Sequence, residues 1–226
     1  MRWLHLPLTI NSPSFNMALD EALMNAAPEL PGPVLRFYGW SEPAATFGYF
    51  QKYSEVAGWT PLRPLIRRPT GGGLVPHDAD WTYSVVIPAG HEWYEALATE
   101  SYRRIHSWVQ AALDRCKVAT SLAPGPIPEG VGQCFIGAEQ FDLLAGGRKI
   151  AGAAQRRSKT GLLIQGSVQP TPRNVQRGAW EAAMLAVGPQ FGADAFQNLE
   201  LPSTLVAAAE QLVREKYSQE SFNQRR

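Results

Sequence analysis

Two short segments rich in glycine and in positive charge carry the clearest chemical signal in this sequence. The first, at residues 67–78, reads RRPTGGGLVPHD. Arginine offers a permanent charge and a fork of donors that suits a phosphate or a carboxylate, and consecutive glycines let the backbone approach a ligand closely. No Lys-Ser/Thr pair follows the glycines, so this is not a Walker loop, and it is not a dinucleotide fingerprint. The candidate ligand-binding residues are Arg67, Arg68, Gly71, Gly72, Gly73 and His77.

The second segment, at residues 146–157, reads GGRKIAGAAQRR and holds a lysine between glycines. Most lysines in turns are solvated, but Ile150 and Ala151 place the backbone of Lys149 next to a core strand. A lysine held there can neutralise charge that develops on a carbonyl or phosphate oxygen. The two segments together predict a buried slot in which an activated acyl group, or an acyl phosphate, meets a cation.

Cys134 is the candidate nucleophile. It follows a loop rich in proline and glycine at residues 122–132 and precedes Lys149 by fifteen residues. A nearby cation favours the thiolate, which is the reactive form. The alternative is a small buried apolar residue, the class to which we assign Cys116. His77 has no histidine at ligand spacing, so we expect no metal site.

The pattern of apolar residues predicts alternating helices and strands. We expect residues 75–87 to enter the core as one strand and residues 93–116 to form one long amphipathic helix. The other predicted elements are helices near 16–26, 175–187 and 203–216 and strands at 34–40, 45–50, 140–144 and 161–168. This order predicts a mixed α/β or α+β class.

Composition limits the classes of function. A chain of 226 residues fits one domain, and 45% hydrophobic with 18% charged residues is typical of a globular protein. The formal net charge of +1 gives no general attraction to nucleic acid or membranes. The apolar runs are short of a bilayer span and the N-terminus does not read as a signal peptide, so the cytoplasm is the expected compartment.

Five separated motifs resemble the catalytic domain of the biotin/lipoate protein ligase family, most closely its lipoate branch. In order they are NMALDEAL, VLRFYGWSEPAATFGYFQ, RRPTGGGLVPHDADWTYSV, GRKIAGAAQRR and LLIQGSV. The resemblance covers about residues 1–170, with C-terminal helices at about 174–217. It implies a single catalytic domain over residues 1–226 with a mixed, largely antiparallel sheet and packed helices. The implied activity attaches an octanoyl or lipoyl group to a lysine of a lipoyl carrier domain.

Two chemistries share this family. Ligase-like octanoyltransferases move octanoyl from acyl carrier protein through a cysteine, whereas lipoate–protein ligases activate lipoate with ATP. The context of Cys134 before Lys149 resembles the transferases, and the Asn-Asp pair that ligases carry is absent near Gly137-Ala138. Gly73, however, completes a triple glycine as in ligases, and Pro76 is atypical of both. We favour the transferase and keep the ligase as the alternative.

The resemblance implies distinct roles under the two chemistries. In the transferase Cys134 attacks the thioester, Lys149 stabilises the thiolate and later takes a proton, and the backbone of Gly71–Gly73, Gly152 and Ala153 closes over the acyl carbonyl. No cofactor is then needed. In the ligase, ATP and Mg²⁺ take part, and Arg67, Arg68 and the glycine loop hold the carboxylate and the adenylate phosphate. Lys149 bridges these two groups, and Cys134 is a spectator.

The implied partners are acyl carrier protein, the E2 subunits of 2-oxoacid dehydrogenases and the H protein of glycine cleavage. A third reading is a homologue that binds carriers without catalysis.

Overall fold

The computed structural model describes residues 1–127 and 137–225. Their strands are β1 (Arg2–Asn11), β2 (Val34–Trp40), β3 (Ala44–Phe47), β4 (Leu65–Arg67), β5 (Val75–His77), β6 (Trp81–Pro88), β7 (Ser121–Leu122), β8 (Leu143–Ala145), β9 (Arg148–Arg157), β10 (Gly161–Val168) and β11 (Ala195–Asn198). Their α-helices are α1 (Pro13–Ala26), α2 (Tyr53–Val56), α3 (Glu92–Glu95), α4 (Ala98–Arg115), α5 (Arg177–Val187), α6 (Ser203–Leu212) and α7 (Glu220–Asn223). Helix α6 continues as a π-helical turn over Val213–Tyr217.

A large mixed sheet runs through the described residues in the order β11-β1-β2-β6-β10-β9-β8-β7. Strand β1 is parallel to both of its neighbours, and the other pairs are antiparallel. A smaller sheet has the order β4-β3-β5. The predicted fold class, a mixed and largely antiparallel sheet with packed helices, is therefore confirmed.

Helices cover both faces of the large sheet. Helices α4 and α5 pack on one face, where Trp108 and Trp180 are fully buried. Helices α1 and α6 pack on the other face through residues such as Leu23 and Leu205. Strands β6 and β10 are buried almost throughout because they lie between these layers, which explains why both read as continuous apolar runs.

Two predicted elements are divided in the structure. The strip at 75–87 forms β5 and β6 in different sheets, because the chain turns at residues 78–80. The predicted helix at 93–116 is two helices, α3 and α4, and the backbone of Ala96 and Leu97 between them is extended (ψ 155° and 150°). Strands β1, β4, β7, β9 and β11 were not predicted.

Candidate functional site

A slot that opens to solvent lies where the two sheets meet. Seven described elements and the arginine–glycine loop contribute to its walls. Most of the lining surface is apolar, as is usual for sites that bind small molecules. The lining residues are Met17, Tyr38, Trp40, Thr46, Arg68, Val75, His77, Thr82, Lys149, Gly152, Ala153, Ala154, Gln165, Gly166 and Ser167. The slot therefore brings together five residues predicted from the sequence: Arg68, His77, Lys149, Gly152 and Ala153.

Lys149 lies at one side of the slot, near the start of β9, with its side chain only 7% exposed. A Cβ at Gly152 would lie 2.7 Å from its Cε and 2.9 Å from its Nζ. Glycine at that position therefore leaves the room that the lysine side chain needs to fold back along β9. This contact explains why the GRKIAG motif has a glycine three residues after the lysine.

The Lys149 ammonium is paired with a carboxylate that the sequence analysis did not select. Its Nζ lies 2.7 Å from Oδ2 of Asp142, which is fully buried. A buried charge is tolerated when it is paired in this way. A signal was present in the sequence, because Asp142 interrupts an apolar stretch seven residues before the lysine.

Arg68 holds the glycine loop from inside the slot. Its Nε donates to the carbonyl of Gly71 at 3.0 Å, and its side chain also contacts Oγ1 of Thr46 at 3.5 Å. The next residue, Gly72, has a φ of +83°, in the region that favours glycine. Gly71, Gly72 and Gly73 do not line the slot themselves among the described residues, so their predicted closure over an acyl carbonyl stays a prediction.

Arg67 points elsewhere and does not line the slot. Its guanidinium donates to five backbone carbonyls, those of Tyr49, Gln51, Phe222, Asn223 and Arg225. Three of the five belong to the C-terminal segment. We expected Arg67 and Arg68 to flank the slot together. The structure places only Arg68 there, because consecutive residues of an extended chain face opposite sides.

His77 is held on three sides in the wall of the slot. Its Nε2 lies 2.8 Å from Oγ1 of Thr46, its Nδ1 lies 2.9 Å from Oδ2 of Asp80, and its ring stacks on Trp40 at 3.9 Å. Burial opposes ionisation of Asp80, but His77 and the hydroxyls of Ser167 and Thr82 hold the pKa of its carboxyl below the usual value. Asp80 therefore acts as the partner of His77, whereas Asp78 is exposed.

A buried polar network links the slot to helix α1. Nε2 of Gln165 donates to Oδ2 of Asp20 at 2.7 Å, and its Oε1 accepts from the hydroxyl of Thr70 in the glycine loop at 2.7 Å. Asp20 also accepts from Arg36 at 2.6 Å and from Ser84 at 2.7 Å. These contacts fix the loop that carries Arg68 against the central strand β10.

The backbone N–H groups predicted to serve an acyl oxyanion lie on β9. Gly152 is paired with Ser167 and Ala153 with Gly166 of β10. The N–H of Ala153 donates to the hydroxyl of Tyr102 on α4 at 3.4 Å. Tyr102 is thus a second residue that the sequence analysis missed, since its place in the apolar stripe of α4 gave it only a packing role.

Cys134 lies outside the described residues. The structure does describe the chain up to Ile127 and again from residue 137. Ile127 and Ala138 exchange two backbone hydrogen bonds, of 2.7 and 3.0 Å. Both line a surface cleft that Lys149 also lines. Within 1–127 and 137–225, no group of three or more His, Cys, Asp or Glu side chains is arranged to hold a metal ion, and no helix has the length and apolar character needed to span a membrane.

The chain belongs to the family of the lipoyl protein ligase A/B catalytic domain, whose model matches residues 12–171. The chain is 34% identical over 183 residues to the octanoyltransferase LipM of Macrococcus caseolyticus, and 35% identical over 174 residues to that of Bacillus subtilis. These matches cover 74% and 70% of this chain. The chain spans 65% and 61% of the length of these two relatives.

Solved structures share the fold at lower identity. A lipoate-protein ligase A bound with ATP superimposes with a TM-score of 0.80 at 22% identity, covering 99% of both chains. A bipartite lipoate protein ligase from Thermoplasma acidophilum, studied with its E2 lipoyl domain, gives a TM-score of 0.73 at 20% identity, covering 99% of this chain and 97% of that chain. These likenesses establish the fold.

Proposed function

We propose that this protein is an acyltransferase of protein lipoylation that moves an octanoyl group from acyl carrier protein to a lysine of a lipoyl carrier domain. One observation carries the proposal: Lys149, the lysine of the GRKIAG motif, places its buried ammonium at the edge of a largely apolar slot. The octanoyltransferase relatives at about 35% identity favour octanoyl transfer over other acyl chemistry.

In the first step, we propose that the thiolate of Cys134 attacks the carbonyl carbon of the octanoyl thioester. A new C–S bond forms to Cys134, and the bond to the pantetheine sulfur of the donor breaks. The Lys149 ammonium stabilises the thiolate before the attack and then gives a proton to the departing sulfur. Support comes from Ile127 and Ala138, described residues that precede and follow Cys134 in the chain and line a cleft that Lys149 also lines.

In the second step, the ε-amine of the carrier lysine attacks the acyl-enzyme. An amide C–N bond forms, the C–S bond to Cys134 breaks, and the neutral Lys149 amine takes the proton that the attacking nitrogen loses. The enzyme returns to its initial thiolate and ammonium. Thioester exchange is nearly isoenergetic and amide formation is downhill, so this route needs no nucleotide.

The slot supplies the acyl-binding part of the site. Met17, Tyr38 and Gly166 line it together with the cations Lys149 and Arg68. An octanoyl chain in this slot buries its methylene groups, each of which contributes about 0.8 kcal/mol. The N–H of Ala153 already donates to the hydroxyl of Tyr102, so we assign oxyanion stabilisation to the N–H groups of Gly152 and of the glycine loop.

The alternative activity is ATP-dependent ligation of lipoate. The triple glycine ending at Gly73 favours it, because that sequence is typical of the ligases. In that case Arg68, the glycine loop and Lys149 would hold the lipoate carboxylate and the adenylate phosphate, and Mg²⁺ would accompany the nucleotide. Cys134 would then take no part.

A single assay separates these activities. The purified protein is incubated with an apo lipoyl domain and either octanoyl–acyl carrier protein without nucleotide, or lipoate with ATP and Mg²⁺, and the carrier is weighed by mass spectrometry. We expect gain of one octanoyl group with the first donor only. Gain of a lipoyl group with the second donor alone identifies a ligase. Binding of the carrier without any gain in mass identifies a non-catalytic homologue.

A further inference from the structure

Behind Lys149, a buried carboxylate and a tyrosine form a compact group with its ammonium. Oδ2 of Asp142 lies 2.7 Å from Nζ of Lys149, and Oδ1 of Asp142 accepts a hydrogen bond of 2.5 Å from the hydroxyl of Tyr102. The Asp142 side chain is fully buried. Both of its oxygens therefore have a defined partner, one from β9 and one from α4.

The remaining neighbours of Asp142 hold it in place. The backbone N–H of Glu139 donates to Oδ2 at 2.7 Å, and Nε2 of His106 lies 4.0 Å from Oδ1. Burial lowers the pKa of His106 to about 4, so this imidazole is neutral near pH 7. Among the described residues, Lys149 is thus the charged partner of this carboxylate.

The Tyr102 hydroxyl joins this group to the backbone of the slot. It donates to Asp142 and accepts from the N–H of Ala153 at 3.4 Å. Tyr102 is also fixed from its other side, because its ring lies against that of His106 at 4.3 Å. One side chain on α4 therefore sets the position of two groups on β9 at once: the ammonium of Lys149, through Asp142, and the N–H of Ala153.

We propose that Asp142 and Tyr102 are positioning residues of the acyl transfer. Asp142 accepts a hydrogen bond from Nζ of Lys149 both as an ammonium and as the neutral amine formed in the first step, so the nitrogen stays at the reacting atoms while its proton leaves and returns. Tyr102 keeps the carboxylate in that orientation. The inference rests on the proposed function, in which Lys149 gives and takes a proton.

A purely structural ion pair predicts a different response to substitution. Loss of structural support lowers the fraction of folded protein but leaves the turnover of the folded fraction unchanged. Loss of positioning lowers kcat of the folded protein, whereas KM for the apo carrier, which is recognised at the surface, stays the same. The separate values of kcat and KM, with kcat corrected for the folded fraction by circular dichroism, decide between the two roles.

The experiment uses two isosteric changes, Asp142→Asn and Tyr102→Phe, each with a matched control. Asp114→Asn changes an exposed aspartate on α4, and Tyr94→Phe removes a hydroxyl that binds the carbonyl of Ser158. We expect kcat to fall about 100-fold in Asp142→Asn and about tenfold in Tyr102→Phe, with KM for the carrier within about twofold of wild type. We expect both controls to keep wild-type constants.

A second measurement keeps the inference testable apart from activity. Acetic anhydride modifies lysine amines, and the labelling rates of Lys149 and the exposed Lys159 are compared by peptide mass spectrometry. We expect Lys149 to be protected in wild type and to label at least about tenfold faster in Asp142→Asn, because the amine is then no longer held.

The outcomes distinguish this inference from the proposed function. Wild-type protein that is inactive with both donors contradicts the proposed function, and the labelling rates then decide whether Asp142 holds Lys149. Active wild-type protein with unchanged kcat in a folded Asp142→Asn variant overturns the inference. If Asp142→Asn does not fold, an unchanged kcat in Tyr102→Phe overturns it instead.

Discussion

The side-chain oxygen of Asn223 accepts a hydrogen bond of 2.9 Å from the backbone N–H of Arg67, 156 residues earlier in the chain. The guanidinium of Arg67 in turn donates to the carbonyl of Asn223 at 3.1 Å. The family match ends at residue 171, so the C-terminal segment lies beyond it and yet completes the surroundings of an arginine in the RRPTGGG motif. Arg67 is therefore an anchor between the C-terminus and the strand that leads into the glycine loop.

We expect Asn223→Ala to lower the free energy of unfolding by about 1–3 kcal/mol, because it leaves a buried N–H without its acceptor. The same change also removes the donors to the carbonyls of Tyr217 and Gln219. Urea denaturation followed by fluorescence measures the difference. Asn174→Ala, at an exposed position, serves as the control and should lie within about 0.5 kcal/mol of wild type.

Arg67 and Arg68 should respond in opposite ways to substitution. Arg68→Ala removes a cation from the slot and the donor to the carbonyl of Gly71, so we expect a loss of acyl transfer with a smaller loss of stability than in Arg67→Ala. Arg67→Ala leaves several carbonyls without a donor, so we expect reduced stability above all. Activity per folded molecule and the urea midpoint separate the two effects, with Arg115→Ala as an exposed control. Full activity in Arg68→Ala would remove the guanidinium from the site.

Lys149→Ala should abolish acyl transfer under either chemistry, because both need a cation at the acyl carbonyl. Transfer to an apo carrier is measured by mass spectrometry with each donor in turn. Lys159→Ala changes an exposed lysine just beyond the C-terminal end of the same strand and should have no effect. Near-wild-type turnover of Lys149→Ala with either donor contradicts the role assigned to this residue.

The parts of the site that the sequence predicted are those marked by residue type alone. Lys149 and Gly152 stood out because a lysine flanked by glycines next to an apolar stretch is an unusual pattern. The structure brings both residues into the slot. Arg68 and Arg67 look equivalent in sequence. Only the direction of each side chain separates them, and that direction depends on the pairing of β4 with β3.

Asp142 and Tyr102 could not be selected from the sequence for a physical reason. Their roles arise from contacts between α4, β9 and the turn before β8. The hydrogen bond that joins the two side chains links residues that are 40 positions apart along the chain. The long strand β9 was also missed, because a segment with several arginines and glycines reads as a loop until its pairing with the buried β10 is known.

His106 should make the stability of the protein depend on pH between about 6.5 and 4. Burial lowers the pKa of the folded-state imidazole to about 4. Below pH 6.5 the unfolded chain therefore binds a proton that the folded chain does not, and the free energy of unfolding falls as the pH falls. The loss reaches about 3 kcal/mol near pH 4.

Urea denaturation of wild type and His106→Gln at several pH values between 7 and 4.5 checks this dependence. The variant should lose less stability over this range than wild type does. His91→Asn provides the comparison: burial also lowers the pKa of His91, but this residue is only partly buried and asparagine keeps an acceptor at the N-cap of α3. We expect this change to reduce the pH dependence less than His106→Gln does. An equal pH dependence in wild type and His106→Gln contradicts the prediction.

Cys134 separates the transferase from the ligase. If its thiolate is the nucleophile, octanoyl–acyl carrier protein alone should leave the enzyme heavier by one octanoyl group, since the acyl-enzyme accumulates without a carrier lysine. The adduct should be cleaved by hydroxylamine, as thioesters are, and should be absent in Cys134→Ser. Iodoacetamide should alkylate Cys134 before Cys116, because burial raises the pKa of the Cys116 thiol. Cys116→Ser is the matched control and should form the adduct normally. Full activity of Cys134→Ser with lipoate and ATP would show that this protein is a ligase.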